Sequence, residues 1–356
     1  MQLSPGKLQG MKRLSDKNGI FKMTAVDQRP PIKKPIAEFL KTQEAPWVEV
    51  AKFKSLLIES LQDSSSALLL DPHFAIPSSM DILDSKKGLV VTLEDSIFSD
   101  TKGGRISSSI DHWSVSKIKR MGADAVKVLA WYRPDADRKV LQAQQDYVQK
   151  VGEECMKYDI LFLFELLVYP LSKDKHQTKD YVEMKNKKTE HVLKSVEEFS
   201  NHKYGVDVFK LESPVNASEI SNNDINAFNE MGKLAGRPWV MLSAGAGKED
   251  FKNVLELAFK AGCSGFLAGR AIWLDAFLNY PNWDIIKQQL LGPSNDYLKE
   301  IGKIADNNAL AWNEHKCYDK SGSSFPFNNH EFRTQYREIN QNEDWSNSSW
   351  QSNFRY

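Results

Sequence analysis

The 356-residue sequence predicts a closed (β/α)8 barrel, the TIM-barrel fold, with extensions at its N-terminal and C-terminal ends. Eight short apolar runs recur along the chain, and most are separated by a stretch long enough for a helix. Each run is almost continuously aliphatic or β-branched, which is typical of a parallel strand buried on both faces. The length suits one barrel of roughly 250 residues with additional segments.

The eight apolar runs are the predicted strands. In chain order they are FKMTAVDQ (Phe21 to Gln28), ALLLD (Ala67 to Asp71), GLVVTLE (Gly88 to Glu94), AVKVLAWY (Ala125 to Tyr132), LFLFELLVY (Leu161 to Tyr169), VFKLESP (Val208 to Pro214), WVMLSAG (Trp239 to Gly245) and GFLAGR (Gly265 to Arg270). An open doubly wound sheet is the alternative fold. The first run, however, is not followed by the glycine-rich fingerprint of that fold.

Helical spacing fills the stretches between the runs. After the run ending at Gly245, one stripe of a predicted helix carries Phe251, Val254, Leu255 and Ala258. The stretch from Ser218 to Leu234 is also helical in composition. Strands that alternate with helices eight times imply a barrel rather than separate layers.

Two segments lie outside this repeat. We assign residues 1–320 to the barrel domain with its short N-terminal segment, and residues 321–356 to a tail rich in Asn, Ser and aromatic residues. The tail is interpreted as a strap over the barrel or a subunit contact, and we expect a homo-oligomer. The lysine-rich segment from Lys173 to Lys188 is expected to be a solvated loop and helix face; attraction of an anionic substrate is the alternative.

The overall composition excludes some classes of protein. Acidic and basic residues balance at 47 each, so the chain lacks the excess positive charge of a nucleic-acid binder. No stretch approaches the roughly 20 apolar residues of a membrane span. The three cysteines form no CxxC pair, which suits a reducing compartment. We therefore expect a cytoplasmic protein without nucleic-acid or membrane partners.

Charged residues interrupt several of the apolar runs. Side chains alternate across a strand, so the apolar neighbours predict that Lys127, Glu165, Lys210 and Glu212 point into the barrel. Asp27 ends the first run and Arg270 ends the last. A buried charge costs several kcal/mol unless it is paired, so structural ion pairing is the simplest interpretation of any one of these residues.

Together these charged residues suggest imine chemistry on a carbonyl substrate. An amine becomes a nucleophile when desolvation and a nearby cation lower its pKa, and Lys210 beside Lys127 meets that requirement. Glu165 can then move protons if its apolar neighbours raise its pKa. The seven histidines are scattered, so we expect no metal site and no cofactor.

The last two runs predict an anion site. LSAGAG (Leu242 to Gly247) and the run ending in Arg270 finish in small residues that leave backbone N–H groups accessible. The loops after the last two strands of this fold commonly bind phosphate, and a guanidinium adds a planar pair of donors. Ordinary strand-to-helix turns are the alternative.

The chain resembles the class I tagatose 1,6-bisphosphate aldolases, which use a lysine rather than a metal, and the related sulfofructose-phosphate aldolases. The similarity runs from about Leu14 to about Leu291. The matching motifs are LSDKNGIF, AVDQRPPIKK, LLLDP, GRISSS, DHWSVSKIKRMGADAVKVLAWY, FLFELLVY, VDVFKLESPVN, LSAGAGKEDF and FLAGRAIW. The prolines of DQRPPIKKP depart from the usual small and glycine-bearing sequence there.

The resemblance implies a role for each matching position. Lys210 is the Schiff-base lysine, Lys127 its partner, and Glu165 the acid/base that moves the C4 hydroxyl proton. The positions implied to bind substrate hydroxyls are Asp27 and Gln28. Those implied for the phosphate of the dihydroxyacetone half are Ser243, Gly245, Gly269 and Arg270. Those implied to clamp the distal anion are Arg29 and Arg105.

The expected activity is cleavage of a ketohexose bisphosphate, such as tagatose 1,6-bisphosphate, to dihydroxyacetone phosphate and a three-carbon aldehyde phosphate. One alternative is a sulfofructose 1-phosphate aldolase that releases sulfolactaldehyde. Other lysine enzymes of this fold, such as deoxyribose-phosphate aldolase or transaldolase, are the enzymatic runner-up. A barrel that only binds a sugar phosphate is the non-enzymatic alternative, and borohydride trapping separates it from the aldolases.

Overall fold

The computed structural model describes residues 1–171, 174, 189–318, 330 and 332–336. The strands are β1 (Phe21–Ala25), β2 (Ala67–Leu70), β3 (Gly88–Thr92), β4 (Ser99–Thr101), β5 (Gly104–Ile106), β6 (Ala125–Trp131), β7 (Leu161–Leu167), β8 (Val208–Leu211), β9 (Trp239–Met241) and β10 (Gly265–Ala268). All except β4 and β5 pair in parallel and close into one barrel, in which β1 pairs with both β2 and β10. β4 and β5 form an antiparallel hairpin. The predicted barrel and its eight strands are confirmed.

Helices cover the outside of the barrel. They are α1 (Pro5–Leu14), α2 (Pro30–Leu40), α3 (Trp47–Leu61), α4 (Ala75–Ser79), α5 (Val115–Arg120), α6 (Arg138–Lys157), α7 (Thr189–Phe199), α8 (Ile225–Ala235), α9 (Lys248–Lys260), α10 (Arg270–Phe277), α11 (Trp283–Gln289), α12 (Asn295–Asn308) and α13 (Phe332–Gln335). The predicted stripe of α9 is buried throughout. Strand residues that face outward, among them Val126, Phe164 and Phe209, pack in the same apolar cluster as these helices.

The N-terminal end of the barrel is sealed. Met11 and Leu14 of α1 pack with Phe21 at the start of β1, in a cluster that also contains Trp312. Lys7 of α1 reaches Asp207 beside β8 with an Nζ–Oδ2 distance of 2.8 Å, and both side chains are buried. The extensions therefore close this end, and the opposite end remains for a site.

One helix begins later than the sequence predicts. Instead of starting near Ser218, α8 begins at Ile225 after two short 3-10 turns, Ala217–Glu219 and Asn222–Asp224. The carboxylate of Asp224 accepts a hydrogen bond from the Ser221 amide at 2.8 Å. Side chains of this kind compete with helical backbone bonding and favour a helix start, which explains the shift.

The two segments assigned outside the barrel repeat are described only in part. Apart from Asp174, the lysine-rich segment lies outside the described residues, and so does most of the tail. Within the tail, Tyr336 donates a hydrogen bond to Asp159 at 2.6 Å. The domain boundary at residue 320 stays a prediction. In the described ranges, no helix has both the length and the apolar character needed to cross a membrane.

Candidate active site

A buried lysine lies at the centre of the open end of the barrel. Lys127 projects inward from β6 and is fully buried. Its ammonium contacts three carboxylates: the Nζ–O distances are 2.5 Å to Glu94, 2.8 Å to Glu165 and 3.0 Å to Asp27. The barrel supplies these groups from the ends of β1 and β3 and from within β7, so parallel pairing brings together residues that are distant in the sequence.

A second lysine shares one of these carboxylates. The pairing of β7 with β8 places Glu165 opposite Lys210, and the Lys210 Nζ donates to Glu165 Oε2 at 2.9 Å. Lys210 is only 4% exposed. Glu165 therefore bridges the two ammonium groups. The structure brings together Lys127, Glu165 and Lys210, as the alternation of inward and outward residues predicts, and Asp27 joins them from beyond the end of β1.

The carboxylates of this cluster respond differently to the same burial. Burial alone would raise the pKa of Asp27, but the charges of Lys127 and Lys210 outweigh it and lower that pKa to about 2. The pKa of Glu165 is also lowered, because the same two ammonium groups outweigh its burial. For Glu94 burial prevails and the pKa is raised. The expected proton transfer required apolar neighbours to raise the pKa of Glu165. That requirement is not met while both ammonium groups lie beside the carboxylate.

A small cavity opens beside Lys210. Its lining residues are Ala25, Asp27, Gln28, Glu165, Lys210, Leu242, Ser243, Ala244, Leu267, Gly269 and Arg270. Among the described residues, the buried oxygens Asp27 Oδ1 and Gln28 Oε1 have no hydrogen-bond partner. Buried acceptors of this kind are costly unless a ligand satisfies them. Substrate hydroxyls are suitable donors for both.

The loops after β9 and β10 form the far wall of this cavity. Ala244 and Gly245 have positive φ angles of 46° and 73°, which turn the chain sharply before α9. A Cβ added at Gly245 would lie 3.5 Å from the guanidinium of Arg270, so the two loops meet there. Gly269 precedes α10, and a Cβ on it would lie 2.6 Å from Gln28 Nε2. The N-terminus of α10 and the guanidinium of Arg270 thus line the same cavity as Lys210, an arrangement that suits a phosphate.

Neither arginine expected at the distal anion lines this cavity. The Arg105 side chain is 2% exposed, and its guanidinium lies 4.3 Å from the ring centroid of Phe98, 4.6 Å from that of Trp131 and 5.1 Å from that of Tyr169. These cation–π contacts fasten the β4–β5 hairpin over the ends of β6 and β7. Arg29 donates from Nη2 to the carbonyl oxygen of Glu94 at 3.1 Å and borders a different cavity.

Glu94 is a member of the cluster that sequence reasoning did not select. It lies two residues past β3, and Thr92 donates to its Oε2 at 2.7 Å. The sequence contained a usable signal, because GLVVTLE ends in an acidic residue just as FKMTAVDQ contains Asp27 near its end. Charged residues that follow the C-terminal end of a strand lie at the same end of the barrel as Asp27, so Glu94 could have been predicted as a member of the cluster.

Comparison with known proteins assigns the chain to a family. The family described as "DeoC/LacD family aldolase" matches residues 21–275. Tagatose 1,6-diphosphate aldolase 1 of Streptococcus mutans is 31% identical over 329 residues, covering 88% of this chain and 100% of the relative. The tagatose 1,6-diphosphate aldolase of a Listeria monocytogenes strain is 31% identical over 327 residues, covering 88% and 95%.

Solved structures share the fold at lower identity. A Schiff-base-forming fructose-1,6-bisphosphate aldolase superposes with a TM-score of 0.55 at 15% identity, covering 84% of this chain and 99% of that one. The fructose-bisphosphate aldolase of Plasmodium falciparum gives 0.59 at 12% identity, covering 87% and 96%. The family match spans most of the chain and contains every residue of the buried cluster. The chain belongs to the DeoC/LacD family of aldolases.

Proposed function

We propose that this aldolase forms a Schiff base at Lys210 and cleaves a ketohexose bisphosphate such as tagatose 1,6-bisphosphate. The products are dihydroxyacetone phosphate and a three-carbon aldehyde phosphate. The observation that carries the proposal is the contact of Lys210 with Glu165, which also contacts Lys127, beside a cavity that is lined by Ser243 and Arg270. The substrates named for the relatives of S. mutans and L. monocytogenes support the choice of sugar.

The reaction begins with a proton transfer. Lys210 attacks as the neutral amine, so its ammonium first gives up a proton, and Glu165 is the acceptor within 2.9 Å. That transfer removes one of the two positive charges beside Glu165, which raises the pKa of its carboxyl and lets it hold the proton. The amine then adds to C2 of the open-chain ketose, and loss of water from the carbinolamine gives the iminium ion.

Carbon–carbon cleavage follows from the same contacts. Glu165, ionised again after the dehydration, removes the proton of the C4 hydroxyl. The C3–C4 bond breaks, the aldehyde forms at C4, and the electron pair moves into an enamine at C2–C3. Lys127 faces the same carboxylate at 2.8 Å, so it stabilises negative charge there. Protonation of the enamine at C3 and hydrolysis of the imine release dihydroxyacetone phosphate and restore Lys210.

The other site residues hold the substrate. Asp27 and Gln28 offer their buried oxygens to hydroxyl groups of the sugar. The loops containing Ser243, Gly245 and Gly269, together with Arg270, bind the phosphate on C1. The roles of Arg29 and Arg105 at the distal anion stay predictions, as do the cytoplasmic location and the homo-oligomer.

Reductive trapping tests the proposal. The protein is treated with dihydroxyacetone phosphate and sodium borohydride, and intact mass and peptide mapping locate the reduced adduct. We expect one adduct on Lys210, none in Lys210→Met, and normal trapping in Lys260→Met, which removes an exposed lysine of α9. An adduct on Lys127 would reassign the nucleophile, and no adduct would contradict the mechanism.

A substrate panel then identifies the sugar. Release of dihydroxyacetone phosphate is measured from tagatose 1,6-bisphosphate, fructose 1,6-bisphosphate and sulfofructose 1-phosphate at equal concentrations. We expect the two bisphosphates to be cleaved. Faster cleavage of the sulfonate substrate would assign the chain to the sulfofructose-phosphate branch instead.

A further inference from the structure

A buried lysine outside the catalytic cluster lies beside the end of β1. Lys54 of α3 is fully buried, and the mechanism above makes no use of it. Its Nζ atom donates to the carbonyl oxygen of Val26 at 2.7 Å and also contacts Asp71 Oδ2. Burial of an ammonium group is costly unless the group is paired, and a leucine at this position of a helix would pack without that cost. The lysine therefore calls for a reason beyond packing.

The contact of Lys54 falls on the residue that precedes the predicted substrate-binding pair. Val26 is followed directly by Asp27 and Gln28, and both of these line the catalytic cavity. The amide of Val26 donates to the carbonyl oxygen of Leu69 in β2 at 2.8 Å. Both polar backbone groups of Val26 are therefore fixed, the amide by β2 and the carbonyl by the ammonium of Lys54.

A second helix holds the neighbouring carbonyl group. The buried indole of Trp273 in α10 donates to the carbonyl oxygen of Ala25 at 3.1 Å. Trp273 also packs edge to face against Phe53, the neighbour of Lys54 in α3, at a centroid distance of 5.6 Å. Successive carbonyl groups at the end of β1 are thus held by side chains from two helices that contact each other. The direction in which the chain leaves the strand depends on these contacts as well as on strand pairing.

Asp71 completes the arrangement from the end of β2. Its Oδ1 atom accepts hydrogen bonds from the amides of His73 at 3.0 Å and Phe74 at 2.9 Å, and its Oδ2 atom contacts Lys54. Burial lowers the pKa of Lys54, and the charge of Asp71 opposes that shift. Asp71 therefore ties the loop after β2 to the ammonium group that holds Val26.

We propose that Lys54 and Asp71 are positioning residues for the aldolase reaction. The ammonium group of Lys54 holds the carbonyl of Val26 and so sets the direction in which Asp27 and Gln28 enter the cavity. Neither member of the pair lines that cavity, so the pair acts through the backbone of β1 and not on the substrate. The inference rests on the proposed contacts of Asp27 and Gln28 with sugar hydroxyls.

Two variants separate positioning from stability. Lys54→Met removes the donor and leaves Asp71 as an unpaired buried charge, so both the urea midpoint and catalysis are expected to fall. Lys54→Met/Asp71→Asn also removes that charge and keeps an acceptor for the amides of His73 and Phe74. Its urea midpoint is expected to recover relative to Lys54→Met. Its catalysis is not expected to recover, because the carbonyl of Val26 still lacks its donor.

Steady-state kinetics with the bisphosphate that the wild-type enzyme cleaves best give the discriminating result. A displacement of about 1 Å in a group that positions the substrate can cost roughly 10²-fold in rate. We therefore expect kcat/KM to fall at least tenfold in both Lys54 variants, mainly through a higher KM. Lys210 and Glu165 belong to other strands, so borohydride trapping at saturating dihydroxyacetone phosphate is expected to label both variants as fully as the wild type.

A second buried ion pair supplies the matched control. Lys7 and Asp207 lie at the closed end of the barrel, and Asp207 likewise accepts a hydrogen bond from a backbone amide, that of Phe162, at 2.8 Å. Lys7→Met/Asp207→Asn makes the same double change there and is expected to keep the wild-type kcat/KM. An equal loss of kcat/KM in this control would show that any buried pair has the same effect and would overturn the proposal.

The remaining outcomes distinguish the positioning role from the proposed substrate contacts. Recovery of kcat/KM together with the urea midpoint in Lys54→Met/Asp71→Asn would show that the pair only stabilises the fold, and would overturn the proposal. Gln28→Ala removes a proposed substrate contact directly and is expected to raise KM. An unchanged KM in Gln28→Ala would refute that contact and the positioning role with it. A raised KM in Gln28→Ala beside a wild-type KM in Lys54→Met would refute the positioning role alone.

Discussion

The charge of Asp27 gives a measurable contribution to stability. Burial alone would raise its pKa, yet Lys127 and Lys210 lower that pKa from 3.8 to about 2. One pKa unit corresponds to about 1.4 kcal/mol, so the ionised carboxylate stabilises the folded chain by roughly 2 kcal/mol at neutral pH. Asp27→Asn keeps the shape of the side chain and removes the charge, so we expect the free energy of unfolding to fall by about that amount.

The pH dependence follows from the direction of the shift. Because the pKa is lower in the folded chain than in the unfolded chain, the stabilisation is complete well above pH 3.8 and is lost as the pH falls towards 2. At pH 3 about half of it remains. The difference between wild type and Asp27→Asn should therefore shrink on acidification.

Urea denaturation at pH 7 and pH 3 measures both quantities. Asp81→Asn is the control. It removes a carboxylate that is exposed to solvent, so it should change the free energy of unfolding little at either pH. Equal destabilisation by Asp27→Asn at the two pH values would show that packing, and not charge, accounts for the loss. No destabilisation at pH 7 would refute the reasoning entirely.

Three further substitutions test the site and the fold. Glu165→Gln should slow carbon–carbon cleavage by about 10²–10⁴-fold, because a neutral amide cannot accept the C4 hydroxyl proton. Borohydride trapping should be less affected, and an equal loss in both assays would exclude Glu165 as the base for the C4 hydroxyl. Gly269→Ala places a Cβ 2.6 Å from Gln28 Nε2 and 2.9 Å from the carbonyl oxygen of Ala25, so the loop that contains Gly269 has to shift. We therefore expect the KM for the bisphosphate to rise about tenfold. An unchanged KM would argue against an anion site at this loop. Lys7→Met leaves Asp207 buried without its ion partner, so urea denaturation should show that the free energy of unfolding falls by about 3–5 kcal/mol. The folded fraction should keep normal activity. A decrease below about 1 kcal/mol would contradict a buried ion pair.

The alternation of side chains made much of the site predictable from the sequence. Lys127, Glu165 and Lys210 each stand between apolar residues in a strand, so the period of two determines that they point into the barrel. The closed topology then brings them to one end, and nothing further is needed to place them together. The eight strands were predictable for a different reason, because their apolar runs are short and nearly continuous.

Residues beyond the strand ends were harder to place. Asp27 contacts Lys127, whereas Arg29, two positions later, lines a different cavity from the one beside Lys210. The period of two does not apply once the chain has left the strand. The three rings around Arg105 come from separate parts of the chain, namely Phe98 just before β4, Trp131 at the end of β6 and Tyr169 just after β7. Such contacts join residues far apart in the sequence, so they follow from tertiary packing and not from spacing.

The closure of the barrel also affects how the chain is made. Phe21 in β1 pairs with Gly265 in β10, so one of the two partner strands of β1 does not exist until three quarters of the chain has been synthesised. At about 5–20 residues per second, roughly 12–50 seconds separate the synthesis of the two strands. Throughout that interval the nascent sheet has open edges, which are templates for pairing with other chains. We therefore expect the growing polypeptide on the ribosome, more than the finished enzyme, to need protection from aggregation.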